Sequence, residues 1–138
     1  MNDDIIISGM ARTPIGNFQG AFTGVPATAL GSHAIKAALG RANVKPEAIE
    51  EALMGCVLPA GLGQAPARQA ALGAGLPKSA GCVTVNKVCG SGMKTVMMAH
   101  DAIAAGSAET IVAGGMESMT GAPHLLLAGR SGIKYGHG

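Results

Sequence analysis

The chain is 138 residues long with a formal charge of +2, and it combines 25 Ala and 22 Gly with no Trp. A chain of this length holds one domain with a sizeable core, and 48% hydrophobic against 13% charged residues excludes disorder. Scattered Lys and Arg with almost no aromatics leave no footprint for nucleic acid, no apolar run reaches the roughly 20 residues that span a bilayer, and glycines without a period of three exclude collagen.

Residues 5–7, Ile-Ile-Ile, form a β-branched run before Ser8-Gly9 and predict a buried strand. Past a Gly-rich loop, Leu30, Ala34, Ile35, Ala38 and Leu39 recur at helical spacing, with Gly40 as the stop. Residues 52–57 read as a second strand, followed by the loop Pro59-Ala60-Gly61-Leu62-Gly63-Gln64. Pro66 opens a short helix through Arg68, Gln69 and Leu72 that Gly73 or Gly75 closes. Residues 82–85 make a third strand, residues 91–105 a long helix ended by Gly106, and residues 110–113 a fourth strand running into Gly114-Gly115. Residues 123–128 are apolar enough for a short helix, and residues 129–138, without a hydrophobic period, read as loop. This βαβαβαβ order of continuous apolar strands predicts the α/β class, a parallel sheet with helices on both faces and right-handed crossovers.

The long helix is unusual. Met93, Val96, Met97, Ile103 and Ala104 form one stripe, and Met98, Ala99, Ala102 and Ala105 extend the apolar character around most of the cylinder. Only Lys94, His100 and Asp101 are strongly polar. Such a helix is built to be buried. One four-stranded sheet covers only one side of it, so the composition predicts a central layer whose second cover comes from elsewhere.

Residues 83–93, Val-Thr-Val-Asn-Lys-Val-Cys-Gly-Ser-Gly-Met, place Cys89 between the third strand and this helix. Free N–H groups and the positive end of a helix dipole stabilise a thiolate at such a position. Gly90 and Gly92 leave room for a substrate to approach the backbone, whose N–H groups can face an oxyanion. On spacing alone, a nucleophile and a small residue buried in a tight turn fit equally well.

Three further segments join that one in order. They are Ala11-Arg12-Thr13-Pro14-Ile15-Gly16, then Gly63-Gln64-Ala65-Pro66-Ala67-Arg68-Gln69-Ala70-Ala71, and last Gly114-Gly115-Met116-Glu117-Ser118-Met119 with Ala122-Pro123-His124. Through these motifs essentially the whole chain resembles the thiolase family, closest to its biosynthetic acetyl-CoA acetyltransferase branch. The resemblance implies the N-terminal half of a thiolase-like fold, with residues 1–115 as the α/β domain and residues 116–138 as the start of the loop domain. Two similar halves would stack so that the long helix lies in a shared central layer.

The same resemblance implies that Cys89 takes the acyl group of an acyl-CoA thioester. A second acetyl-CoA would attack that group in a Claisen condensation, giving acetoacetyl-CoA and CoA, with thiolysis as the reverse. Coenzyme A thioesters are then substrates, and no metal or redox cofactor is implied. Val88, beside the nucleophile, is a candidate wall of the acyl pocket, and Met119 a candidate substrate contact. Gln64 lies in the loop that the family turns toward the partner subunit's active-site loop. A homodimer or homotetramer is implied for the complete enzyme. A complete thiolase also carries an Asn-Glu motif, a histidine and a second, acid/base cysteine, and none of these motifs occurs here. The chain is therefore expected to be an N-terminal portion that cannot condense acetyl-CoA alone. Ketoacyl synthases also place a Cys at a strand–helix junction, but the Gly-Gly-Met-Glu-Ser-Met context fits thiolases better.

The remaining reactive side chains read as structural. Cys56 and Cys82 fit small buried residues. His33 reads as solvated, His100 as packed and hydrogen-bonded, and His124 as the family's structural histidine; His137 lies too near the end to assign. No histidine pair has metal-ligand spacing, so no metal site is expected. Met93, Met97 and Met98 suit a core or interface. Glu117-Ser118 suits a hydrogen-bonded turn, since no Gly-x-Ser-x-Gly surrounds Ser118. Arg130 and Lys134 are candidates for CoA phosphates, although solvated loop charges fit them better. Three irregularly spaced cysteines make no disulfide framework, and Met1-Asn2-Asp3-Asp4 lacks a presequence charge pattern, so a cytoplasmic setting is expected. The alternative function is a thiolase-derived module that binds a partner or oligomerises through its uncovered helix layer.

Overall fold

The computed structural model describes residues 4–127 together with Gly129 and Gly132. Three parallel strands make its sheet: β1 (Glu51–Gly55), β2 (Gly81–Val85) and β3 (Ile111–Gly115), in the order β2-β1-β3. Central β1 sets Glu51 opposite Gly81 and Ile111, and the register continues to Gly55 opposite Val85 and Gly115. Three α-helices, α1 (Ala27–Ala42), α2 (Pro66–Ala74) and α3 (Ser91–Ala104), complete the α/β unit. Side chains alternate across β1. Ala52 and Met54, with Cys56 beyond the strand, join the core formed with α1 and α2, whereas Gly55 meets the start of α3. Helices thus cover both faces.

Most expected elements are present within a residue or two. Pro66 opens α2, and Gly75, at φ 94°, closes it. Gly40 does not stop α1, which runs on to Ala42. Asn43 adopts the left-handed conformation at φ 53° and returns its N–H to Gly40 O, so asparagine supplies the cap expected of glycine.

Residues 5–7 form no strand. Ile6 and Ile7 are 76% and 73% exposed, and a cleft of about 510 Å³ lies between residues 5–9 and β3. A β-branched run becomes a strand only where another edge comes to the inter-strand spacing of about 4.8 Å. Here these isoleucines line the cleft with Leu39, Ile103 and Val112. The helix expected over residues 123–128 is also not found over residues 123–127, where Leu125, Leu126 and Leu127 stand exposed. So short a segment needs a packing surface to hold helical form. Ala128 and most of the expected loop over residues 129–138 lie outside the described residues.

Helix α3 buries only Ser91, Thr95 and Ala99, its smallest inward stripe. Met93 is 75% exposed, and Val96 and Met97 stand outward with it. The large apolar face is therefore turned away from the sheet and uncovered within the described residues. His100 lies off the buried stripe and is exposed rather than packed, with Nδ1 3.2 Å from Asp101 Oδ1. At the N-terminal end of the sheet, Glu50 accepts the N–H groups of Glu109 and Thr110, which hold its carboxyl below the ordinary range. No helix among the described residues is long and apolar enough to cross a membrane.

Candidate active site

Because all three strands run parallel, their exits lie at one end of the sheet, where open α/β folds place their sites. Residues 86–90 join β2 to α3 at this end, with Gly90 as the helix N-cap. Cys89 is exposed in that turn. Gly90 N–H bonds to Lys87 O at 3.1 Å, Ser91 N–H to Val88 O at 3.1 Å, and Lys94 N–H to Gly90 O at 2.9 Å. Among the described residues, the N–H groups of Cys89, Gly92 and Met93 have no hydrogen-bond partner. They are donors at the positive end of the α3 dipole.

Glycines set how closely α3 approaches the sheet. A Cβ on Gly55 would lie 2.7 Å from the carbonyl carbon and Cβ of Ser91, and one on Gly115 would lie 3.3 Å from Gly92 Cα. Buried Thr95 locks this contact, with Oγ1 2.7 Å from Gly92 O and 2.9 Å from Gly114 O. Ser91 Oγ, also buried, donates to Val88 O at 2.6 Å and accepts Lys87 N–H at 2.8 Å.

Two polar side chains cross-link the strand exits. Glu117, after β3, accepts Val57 N–H at 2.8 Å and Leu58 N–H at 3.1 Å. Asn86, after β2, donates from Nδ2 to Val57 O at 3.2 Å and accepts Val88 N–H on Oδ1 at 3.0 Å. Asn86 belongs to the segment that carries Cys89, and Glu117 fits the expected hydrogen-bonded turn, but no local pattern signals their reach across β1. The sequence signal is an acid two residues after an apolar strand, at the sheet end that carries Cys89.

Cys56 is buried, as expected, and its Sγ is 3.9 Å from Glu117 Oε1. Burial, reinforced by the Glu117 charge, pushes its thiol pKa up. A thiol that holds its proton more tightly when folded contributes stability below its unfolded value of about 8.5, and that contribution fades as pH rises. Urea midpoints of the protein are therefore expected to fall more steeply above that pH than those of Cys56→Ala. Parallel pH profiles would contradict this.

Cys82 is half-buried against the core. Val88 is 65% exposed next to Cys89, at φ 48°. Met119 opens a single 3-10 turn, Met119–Gly121, and is exposed. That turn is tied to the segment before α1 by Gln19 N–H to Thr120 Oγ1 and by Ser118 Oγ to Val25 O. Gln64 is exposed in the loop before α2, where its carbonyl accepts Gln69 Nε2 at 2.8 Å. No hydrogen bond among the described residues joins Gln64 or Met119 to Cys89. His33 and His124 are exposed, and Arg130, Lys134 and His137 lie outside the described residues.

Residues 5–138 match the N-terminal domain of the thiolase family. Acetyl-CoA acetyltransferase 2 of Arabidopsis thaliana is 58% identical over 134 residues, which are 97% of this chain and 33% of that protein. The acetyl-CoA acetyltransferase of Cupriavidus necator is 55% identical over 133 residues, 96% of this chain and 34% of that protein. Among solved structures, the Acat5 thiolase of Ascaris suum in complex with coenzyme A superposes with a TM-score of 0.86 at 44% identity, over 87% of this chain and 31% of that one. The chain thus spans about a third of the length of these relatives. A match that takes in nearly every residue, on a fold that agrees, makes this chain a member of the thiolase family that carries its N-terminal domain.

Proposed function

We propose that the chain is the nucleophile-bearing part of an acetyl-CoA C-acetyltransferase. The observation that carries this reading is Cys89 itself, exposed at the N-terminus of α3 beside N–H groups that have no partner among the described residues. The Cys89 thiolate attacks the thioester carbonyl of acetyl-CoA, and the new oxyanion is stabilised by N–H donors of the turn. The C–S bond to CoA breaks, and CoA leaves as a thiolate that takes up a proton. A base then removes an α-proton from a second acetyl-CoA, and the carbanion attacks the acetyl-cysteine. Acetoacetyl-CoA is released and the Cys89 thiolate returns. The cycle is redox-neutral and each thioester carbonyl serves as its own electron sink, so coenzyme A thioesters are the only small molecules required.

The family resemblance assigns the acid and base to a second half of the enzyme. The uncovered face of α3, with Met93, Val96 and Met97, is where such a half would pack. In this reading residues 116–138 open the loop domain, tied back by buried Met116 and by Glu117. Val88 and Met119 are proposed to border the acyl group, and Gln64 to face a partner subunit of a homodimer or homotetramer. Free thiols suit a reducing compartment such as the cytoplasm, although relatives from Xenopus laevis, Xenopus tropicalis and Bos taurus are named as mitochondrial. The same α3 face also suits a non-catalytic binding or oligomerisation module.

Incubation with acetyl-CoA, followed by peptide mass spectrometry, separates the two. The enzymatic reading expects one acetyl thioester, on Cys89, and no multiple turnover of acetoacetyl-CoA with CoA by the 138-residue chain. Acetylation spread evenly over Cys56, Cys82 and Cys89 would favour the binding module, and enzyme-like turnover would refute the incompleteness of the chain.

A further inference from the structure

The conformation of Val88 needs an explanation. A β-branched side chain at φ 48° is strained, because its Cβ substituents crowd the backbone in the left-handed region. Such a residue stays there only where its surroundings hold it. Valine in an unsupported turn would relax to negative φ, turning the Val88–Cys89 peptide and carrying Sγ away from the α3 N-terminus.

The support is a continuous chain of hydrogen bonds across the ends of all three strands. It starts at Glu117 after β3, whose carboxylate grips the N–H groups of Val57 and Leu58 after β1. Val57 turns its carbonyl the other way, to Asn86 Nδ2 after β2. Asn86 Oδ1 then holds the Val88 N–H. Ser91 closes the turn from the helix side by bonding to Val88 O and Lys87 N. Both peptide groups flanking the Val88 Cα are therefore fixed. Backbone bonds alone do not achieve this, because among the described residues the Val88 N–H meets only the Asn86 side chain.

We infer that Asn86 and Glu117 are positioning residues, which keep Val88 left-handed and thereby hold the Cys89 thiol at the α3 N-terminus. The inference rests on the reading of Cys89 as the nucleophile. Asn86 acts on the turn directly, whereas Glu117 acts through Val57, so the loss of Asn86 has the larger effect.

The test is the rate at which iodoacetamide labels Cys89 in the 138-residue chain, measured against Cys82 of the same molecule. Asn86→Ala and Glu117→Gln are each compared with and without Val88→Gly. Asn86→Ala is expected to slow Cys89 labelling by about tenfold, the factor that strain of this kind supplies when released. In the Val88→Gly background the same change is expected to cost less than about threefold, because glycine keeps positive φ without support. Glu117→Gln, which weakens one of two accepted bonds, falls between. An unchanged rate in Asn86→Ala would overturn the inference. So would equal slowing in both backgrounds, the additive result of general structural damage. If Asn86→Ala does not fold by circular dichroism, the Glu117→Gln pair decides on the same coupling. Parent Cys89 labelled no faster than Cys82 would instead refute the nucleophile reading, a separate result from absent coupling.

Discussion

Gly55→Ala is expected to destabilise the domain by about 1–3 kcal/mol, the usual cost of overpacking a closely fitted site. The added Cβ would lie 2.7 Å from Ser91 atoms that include its backbone carbonyl carbon, so no flexible side chain can move aside. Relief requires the first turn of α3 to lift from the sheet. Thr95 resists that movement through its contacts with Gly92 O and Gly114 O. The substitution should therefore lower the urea midpoint and slow Cys89 labelling together. Gly40→Ala is the contrast. It lies within α1, is exposed and has nothing within 4 Å of its added Cβ, so alanine should be neutral or stabilising by about 0.5–1 kcal/mol. Equal effects at the two positions would show that α3 is not held against the sheet as described.

The second large effect is chemical. Cys89→Ser is expected to abolish acetyl capture from acetyl-CoA while leaving the urea midpoint within about 0.5 kcal/mol, as exposed substitutions usually do. A serine hydroxyl needs a base to become a nucleophile, and among the described residues no side chain is hydrogen-bonded to Cys89. A cysteine depends far less on such a partner, because sulfur is intrinsically the stronger nucleophile. Retained acetylation at the rate of the parent would show that the acetyl group lands elsewhere.

How far the fold could be read in advance differs from element to element, for physical reasons. The three strands of the sheet and all three helices were legible because each carries a local signal, whether an apolar run, a helical period, or a Pro or Gly at a boundary. Residues 5–7 carry the same strand signal yet stay unpaired, because a strand also needs an edge within reach, and a cleft intervenes. The apolar circumference of α3 correctly predicted an uncovered side. It could not say that Ser91, Thr95 and Ala99 would face inward. At Ser91 that choice follows from Gly55 of β1, whose missing Cβ leaves room for the first turn of α3.

At the candidate site, Cys89 stood out because a cysteine between a strand and a helix is a local pattern. Asn86 and Glu117 are 31 residues apart and meet only through Val57, so their partnership depends on strand order and register. A side-chain bond across a sheet end leaves no periodic trace.

On the proposed reading the fold activates Cys89 by placing it at the N-terminus of α3. The direct measurement is the rate of Cys89 alkylation at neutral pH in the folded chain and in the same chain unfolded in urea, with Cys56 and Cys82 as internal references. Folding must slow Cys56, which it buries. If the N-terminus of α3 activates Cys89, this cysteine alone reacts faster folded than unfolded. Cys89 reacting no faster in the folded chain would contradict the account.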